Sequence, residues 1–435
     1  MNVTGLITEF NPLHNGHKYY IEQAKESTGA DYLVAVMSGN FMQRGEPAFL
    51  DKFSRTTMAL LSGIDLVLEL PVYYSTGSAE YFATGAVDLL SQLGITGSFC
   101  FGSECGNTAL MTLAAQILLK EPDEFRATLK QQLKIGNSFP AARAHALSDY
   151  LKRQALCNAK ELKDVKTCLH SPNNILGIEY IKAQLRLQSP LIPITVTRCQ
   201  SGYHDQALSS DTNGNTCISS ATSIRRTLLK SFHARSGFPD MLQNHLPESS
   251  YRILKQAYRK NCPVESNCFS LLLHYSLLHI KSPEELEQYQ DISPDLANRL
   301  YHLIPRFSDF ESFVTLLKTR QFTETRIRRA LLHIMLNIKT NAVNAALSNR
   351  RNHYIRVLGF RKEAAPLLGE LKKRSQLPLI TKLADSPSLL GGEAQSMLAS
   401  DIFASSVYHS AVNNQFRLPP YNEYTQQLVY CTAHN

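Results

Sequence analysis

The chain has 435 residues, 43% of them hydrophobic, with 45 Lys and Arg against 37 Asp and Glu. That length exceeds what one typical core needs, so two or three domains are expected. No stretch approaches the roughly 18 uninterrupted apolar residues of a membrane span, and the opening MNVTGLITEF lacks the basic region and apolar run of a signal peptide, so a cytoplasmic protein without a membrane partner is the expectation. The nine cysteines contain no CxxC pair, which argues against a zinc knuckle or a redox couple and for reduced thiols.

In chain order, VTGLIT (3–8), YLVAVM (32–37), DLVLEL (65–70) and SFCF (98–101) read as short strands. Between them lie segments of helical period around His17 to Lys25, Lys52 to Leu61 and Ala79 to Leu93. Strand and helix alternating in this way predict a doubly wound parallel sheet covered on both faces. From about residue 105 to 190 the pattern turns mostly helical and reads as an insertion before a last strand, PITVTR (193–198). Beyond Ser236 the chain reads as almost wholly helical, and Ser236 to Pro239 reads as a linker. Sixteen of the 21 glycines precede residue 235, consistent with two differently built domains, 1–235 and 236–435.

The first strand runs into GLITEFNPLHNGHKYY, a strand, turn and helix opening that aims backbone N–H groups and a helix N-terminus at the sheet edge. Gly16 permits close backbone approach there. His14 and His17 can donate to phosphate oxygens and stabilise charge that develops when an α-phosphate is attacked, so they are the candidate catalytic residues. A second cluster, CISSATSIRR (217–226), offers Ser220 or Thr222 as a helix cap and Arg225 or Arg226 on the first turn as a triphosphate contact. The loop SGNFMQRGEPAFLDKFSR carries Gln43, Arg44, Glu46, Asp51 and Arg55 and is a candidate for holding a substrate, without individual roles.

Most of the net charge of +8 sits in the second half, with 23 basic and 17 acidic residues after 235 against 22 and 20 before. From Lys318 to Lys382 fifteen Lys and Arg face three acids. Arg328, Arg329, Arg350 and Arg351 are the candidate contacts to a nucleic-acid backbone, with Tyr354 and Phe360 among them for stacking.

HxGH followed by a Ser/Thr-rich turn ending in IleArg resembles the nucleotidylyltransferase superfamily, although Ala221 stands where that pattern usually has serine. A closer resemblance runs through TEFNPLHNGH (8–17), SGNFMQRGEPA (38–48), GIDLVLELP (63–71), FATGAVDLL (82–90), FGSE (101–104), SPNNILGIEYI (171–181), SGYHD (201–205) and SATSIR (220–225). Together these are similar to the bacterial tRNA(Met) cytidine acetate ligase family. The resemblance implies a nucleotidyltransferase-like catalytic domain over 1–235 and a basic helical, tRNA-binding domain over 236–435. It implies acetate attacking ATP to give acetyl-adenylate, then acetyl transfer to N4 of the wobble cytidine of elongator tRNA(Met).

By that resemblance the ATP cradle comprises Ile7, Thr8, Glu9, Phe10, Asn11, Pro12, Leu13, His14, Asn15, Gly16, His17, Lys18, Tyr19 and Tyr20. Gly102, Asn173, Arg198, Cys199, Thr222 and Arg225 complete it. Mg2+ is expected with ATP rather than in a protein cage, since it leans on phosphates and keeps its waters. No protein partner is evident. The competing readings are an adenylyltransferase acting on a small phosphorylated metabolite and a nucleic-acid-binding protein without catalysis.

Overall fold

Val3–Thr8 form β1, which is buried at every position. Burial of both faces is what a central strand of a parallel sheet requires. The structure, a computed structural model, describes residues 1–137, 139–156, 169, 171–198, 208, 217–348 and 353–432. β2 (Tyr32–Ser38), β3 (Leu66–Leu70), β4 (Ser98–Ser103) and β5 (Ile192–Thr197) join β1 in a parallel sheet of order β5-β4-β1-β2-β3. The order reverses at β1, which has β4 on one side and β2 on the other. A crevice therefore opens beyond the carboxyl ends of β1 and β4, where open α/β sheets bind ligands.

The faces are covered by α1 (Asn15–Thr28), α2 (Lys52–Leu61), α3 (Val72–Ser75), α4 (Ala79–Gln92), α5 (Thr108–Lys120), α6 (Asp123–Lys134), α7 (Phe139–Arg153), α8 (Pro172–Leu187) and α9 (Ala221–His233). Alternation along the strands divides them. Val34 and Val36 face a core shared with α4, α5 and α8, whereas Leu33, Ala35 and Met37 face one shared with α1, α2 and α9. A third core brings Phe41, Met42 and Val72 against the helices between residues 264 and 343 and the helix Gly392–Phe416.

The boundary expected at Ser236 does not divide the sheet. β6 (Ile355–Arg361) pairs antiparallel with β3, and β7 (Leu379–Ile380) and β8 (Val429–Cys431) both pair parallel with β6. The strands β7 and β8 span only two and three residues, too short for an alternating pattern to show among the surrounding helices. The second half is mainly helical, but its last third returns to complete the first half's sheet.

A buried ionic cluster fixes that return. Lys52 Nζ on α2 donates to Glu69 Oε1 of β3 at 2.8 Å and also contacts Glu423. Arg356 of β6 bridges the same two acids, at 2.9 Å to Glu69 and 2.6 Å to Glu423. All four side chains are at most 5% exposed. Two cations and two carboxylates balance in charge, and removing one leaves an uncompensated ion inside the protein. Lys52→Met should lower stability by about 3–5 kcal/mol, read from urea unfolding; a change within about 1 kcal/mol would show that the cluster contributes little.

Candidate active site

Beyond Thr8 the chain turns through Phe10, whose φ of +48° places a buried aromatic side chain in the left-handed region. The turn delivers His14 to the N-cap of α1. His14 Nδ1 accepts from the Gly16 N–H at 3.1 Å, and the His14 N–H donates to His17 Nδ1 at 3.3 Å. This is a capping box in which two imidazoles replace the usual Ser/Thr and Glu/Gln pair. The rings lie 3.8 Å apart between centroids. Gly16 fits closely here, since a Cβ would lie 3.0 Å from the His14 ring and press on it.

Both imidazoles are neutral at pH 7. Burial, followed by the charges of His17, Arg198 and Arg225, holds His14 well below its ordinary range. Burial and Arg198 bring His17 down to about 3, against the opposing hydrogen bond with the Pro12 carbonyl. Because His14 accepts through Nδ1, its proton is assigned to Nε2, a neutral donor.

Three further elements close around this turn. β4 and β5 bring Gly102 and Arg198 together at their carboxyl ends, a Cβ on Gly102 lying 3.4 Å from Arg198 Cγ. Ser220 caps α9 by accepting from the Ser223 N–H at 3.1 Å, which settles the cap between Ser220 and Thr222. Arg225 donates to the Asn11 carbonyl at 2.8 Å and pairs with Glu46 at 3.4 Å, tying α9 to the turn. From α8, Asn173 donates to Glu104 at 2.6 Å rather than capping its helix, whose N-cap is Ser171.

These groups line one cavity of about 360 Å³. It gathers Ile7, Thr8, Glu9, Phe10, Asn11, His14, Gly16, His17, Tyr19, Tyr20, Gly102, Asn173, Arg198, Thr222 and Arg225 from the expected set. Pro12, Leu13, Asn15 and Lys18 do not line it. Leu13 is fully buried in the core, and Lys18 is exposed beside Glu22. Asn15 spends its amide on the carbonyls of Cys217 and Asn244, at 3.1 and 2.8 Å. Cys199 lies outside the described residues.

Of the polar loop, Gln43, Arg44 and Glu46 reach the cavity. Asp51 instead caps α2, accepting from Phe53 and Ser54 at 2.9 and 3.0 Å, and the buried Arg55 donates to the carbonyls of Glu9, Ser38, Gly39 and Leu50. The aromatic wall of Phe82, Phe101 and Tyr180 falls within FATGAVDLL, FGSE and SPNNILGIEYI, but the sequence assigns these rings no place at the site. Only the packing of α4 and α8 against β4 brings it to the site.

The basic segment is arranged differently from its sequence. Arg328 and Arg329 are each 9% exposed. Arg328 pairs with Glu311 and Glu324, and Arg329 with Asp291 at 2.6 Å. They hold the helix Glu324–Met335 to its neighbours and are not exposed phosphate contacts. Arg356 is spent in the buried cluster and Arg361 on Asp65 and Glu363. Arg350 and Arg351 lie outside the described residues.

The sheet, the HNGH cap and the second capped helix define a class, and the chain belongs to it: the model of the HIGH nucleotidyl transferases matches residues 1–421. A tRNA(Met) cytidine acetate ligase of Thermoanaerobacter pseudethanolicus is 40% identical over 415 residues, covering 95% of this chain and 96% of its own. That of Acetivibrio thermocellus is 36% identical over 430 residues, covering 99% and 100%. Thermotoga maritima TmcAL bound with alpha-thio ATP matches with a TM-score of 0.86 at 30% identity, over 99% of this chain and all of that one. Within the class, the chain belongs to the tRNA(Met) cytidine acetate ligase family.

The depressed imidazole pKa values have a stability consequence. A histidine whose folded pKa lies below its unfolded value binds more protons when unfolded, so stability falls as pH drops below about 6.5. His17→Gln should flatten the decline in urea midpoint between pH 7 and pH 5. An unchanged slope would show that His17 is not held neutral.

Proposed function

We infer that this protein is an ATP-dependent ligase that activates acetate as acetyl-adenylate and transfers the acetyl group to N4 of the wobble cytidine of elongator tRNA(Met). The observation that carries the reading is the convergence of the HNGH cap and the N-terminus of α9 on one cavity at the carboxyl edge of β1 and β4. Two helix N-termini, neutral imidazole donors and Arg198 and Arg225 suit a polyphosphate.

In the first step a carboxylate oxygen of acetate attacks the α-phosphate and pyrophosphate leaves. His14 donates through Nε2 to the phosphoryl oxygens on which charge builds, His17 adds its one ring N–H by turning it from the Pro12 carbonyl, and Arg198 and Arg225 neutralise the departing pyrophosphate. Magnesium held by ATP would neutralise charge on its phosphates without a cage of protein ligands. Tyr20, whose hydroxyl donates to the Cys100 carbonyl at 2.6 Å, anchors α1 against β4 beneath the nucleotide. The enzyme works outside membranes, in the compartment that holds its tRNA; no helix among the described residues is long and apolar enough to cross a bilayer.

With Arg328 and Arg329 engaged inside the helical region, Arg350 and Arg351 remain the tRNA contacts of the original basic set. Their joint replacement by alanine should weaken tRNA binding and reduce the slope of log affinity against log salt by about 2. An unchanged slope would remove them from the interface.

Purified protein incubated with ATP, magnesium, labelled acetate and tRNA lacking the modification should yield labelled N4-acetylcytidine on digestion. His17→Ala should lower ATP–pyrophosphate exchange by about 10²–10³-fold, the loss expected for one transition-state donor. ATP consumed with a phosphorylated metabolite and no RNA label would instead favour a small-molecule adenylyltransferase.

A further inference from the structure

The cavity contains a charge of the wrong sign for its nucleotide. Glu9 follows β1 directly and lines the same space that suits a polyphosphate. Its bonds go to uncharged donors, and both fall on one oxygen: Oε1 accepts from the Gln43 N–H at 2.7 Å and from Ser38 Oγ at 3.3 Å. That leaves Oε2 to the cavity. Arg55, the buried cation beside it, spends its guanidinium on backbone carbonyls, including that of Glu9 at 2.7 Å. The charged and titratable groups facing the carboxylate are Arg44 from the loop, Arg55 from α2 and Tyr180 from α8.

The other side of the carboxylate faces aromatic rings. Tyr180 packs edge-on to Phe101 at 5.7 Å between centroids and lies 6.4 Å from Phe82. Burial raises the Glu9 carboxyl above the ordinary range, against the opposing pull of the Gln43 amide, Arg44, Arg55 and Ser38. A raised carboxyl is a stronger base than an exposed one. An acceptor held in an aromatic-walled space, beside a site for phosphates, matches a ligand group that brings hydrogens rather than negative charge. The exocyclic amine of cytosine is such a group, and glutamate is one of the side chains that accept from it.

Resting on the ligase reading, we propose that Glu9 is a catalytic residue of the second step: it accepts a hydrogen bond from N4 of the wobble cytidine and takes the proton N4 loses on attacking the acetyl carbonyl. The N4–carbon bond forms, and the bond from that carbon to the phosphate oxygen of acetyl-adenylate breaks. AMP departs with the electron pair. The proton passes to Glu9 Oε2 and then to solvent after the product leaves. The first step moves no proton, because acetate attacks as its carboxylate, so a base at Glu9 is used only in the second.

Glu9→Gln retains an acceptor oxygen for Gln43 and Ser38 and removes the base. Two rates are read on one preparation: acetate-dependent exchange of labelled pyrophosphate into ATP without tRNA, and acetyl transfer to unmodified tRNA. The ratio of transfer to exchange should fall by about 10²–10⁴-fold, the contribution of a positioned base. In the unsubstituted protein transfer should rise with pH through a value above 4.5, the limb reporting ionisation of Glu9, and this limb should vanish in the variant. Glu9→Asp should restore part of the ratio. An unchanged ratio, or transfer and exchange lost together, overturns the assignment, the latter placing Glu9 with ATP. Absence of acetate-dependent exchange in the unsubstituted protein would overturn the ligase reading and this assignment with it.

Discussion

Four buried charges decide how this chain closes. Lys52, Glu69, Arg356 and Glu423 come from an N-terminal helix, a central strand, a strand nearly three hundred residues later and the C-terminal segment. An isolated ion at any of these positions would carry a desolvation cost of several kcal/mol, and only the complete set cancels it. The arrangement therefore specifies more than it stabilises. A sheet with β6 misplaced would strand Lys52 and Glu69 in a low-dielectric interior. The same region leads into the HNGH turn, because Arg55 on α2 binds the carbonyls of Glu9 and Ser38 at the ends of β1 and β2.

The active site solves a related problem in the opposite way. A cavity meant for a polyphosphate could be lined with permanent cations, but these would repel one another before the ligand arrived. Here the cap of α1 is built from two imidazoles kept neutral by burial, and the cavity's arginines are partly balanced by acids, as Arg225 is by Glu46. The empty cavity needs little counter-charge. Its donors are nevertheless fixed before the ligand arrives, and pre-oriented donors stabilise developing charge without reorganising.

Much of this was legible because the signals were local. The five parallel strands follow from short β-branched runs, and the HNGH turn and a helix capped by Ser220 or Thr222 follow from residue spacing, the structure choosing Ser220. What escaped depends on contacts far apart in sequence. Charge counted along Lys318 to Lys382 suggested a bare basic face, yet Asp291, Glu311, Glu69 and Asp65 reach in from elsewhere and neutralise several of its arginines. Asn15 sits inside the motif, but its amide holds the segments at 217 and 244 instead of a ligand. The strands β7 and β8 are too short to reveal themselves without the sheet they join.

The position of Glu423 bears on how the protein is made. Synthesis proceeds from the N-terminus, and the carboxylate that completes the cluster lies more than three hundred residues after Lys52 and Glu69. The catalytic turn, the parallel strands and both capped helices leave the ribosome long before it. Until then Lys52 and Arg356 share a single acid, and the edge of β6 waits for β8. A chain stopped before Glu423 would carry the residues that line the cavity while leaving the buried cations one carboxylate short, a loss of stability rather than of site residues.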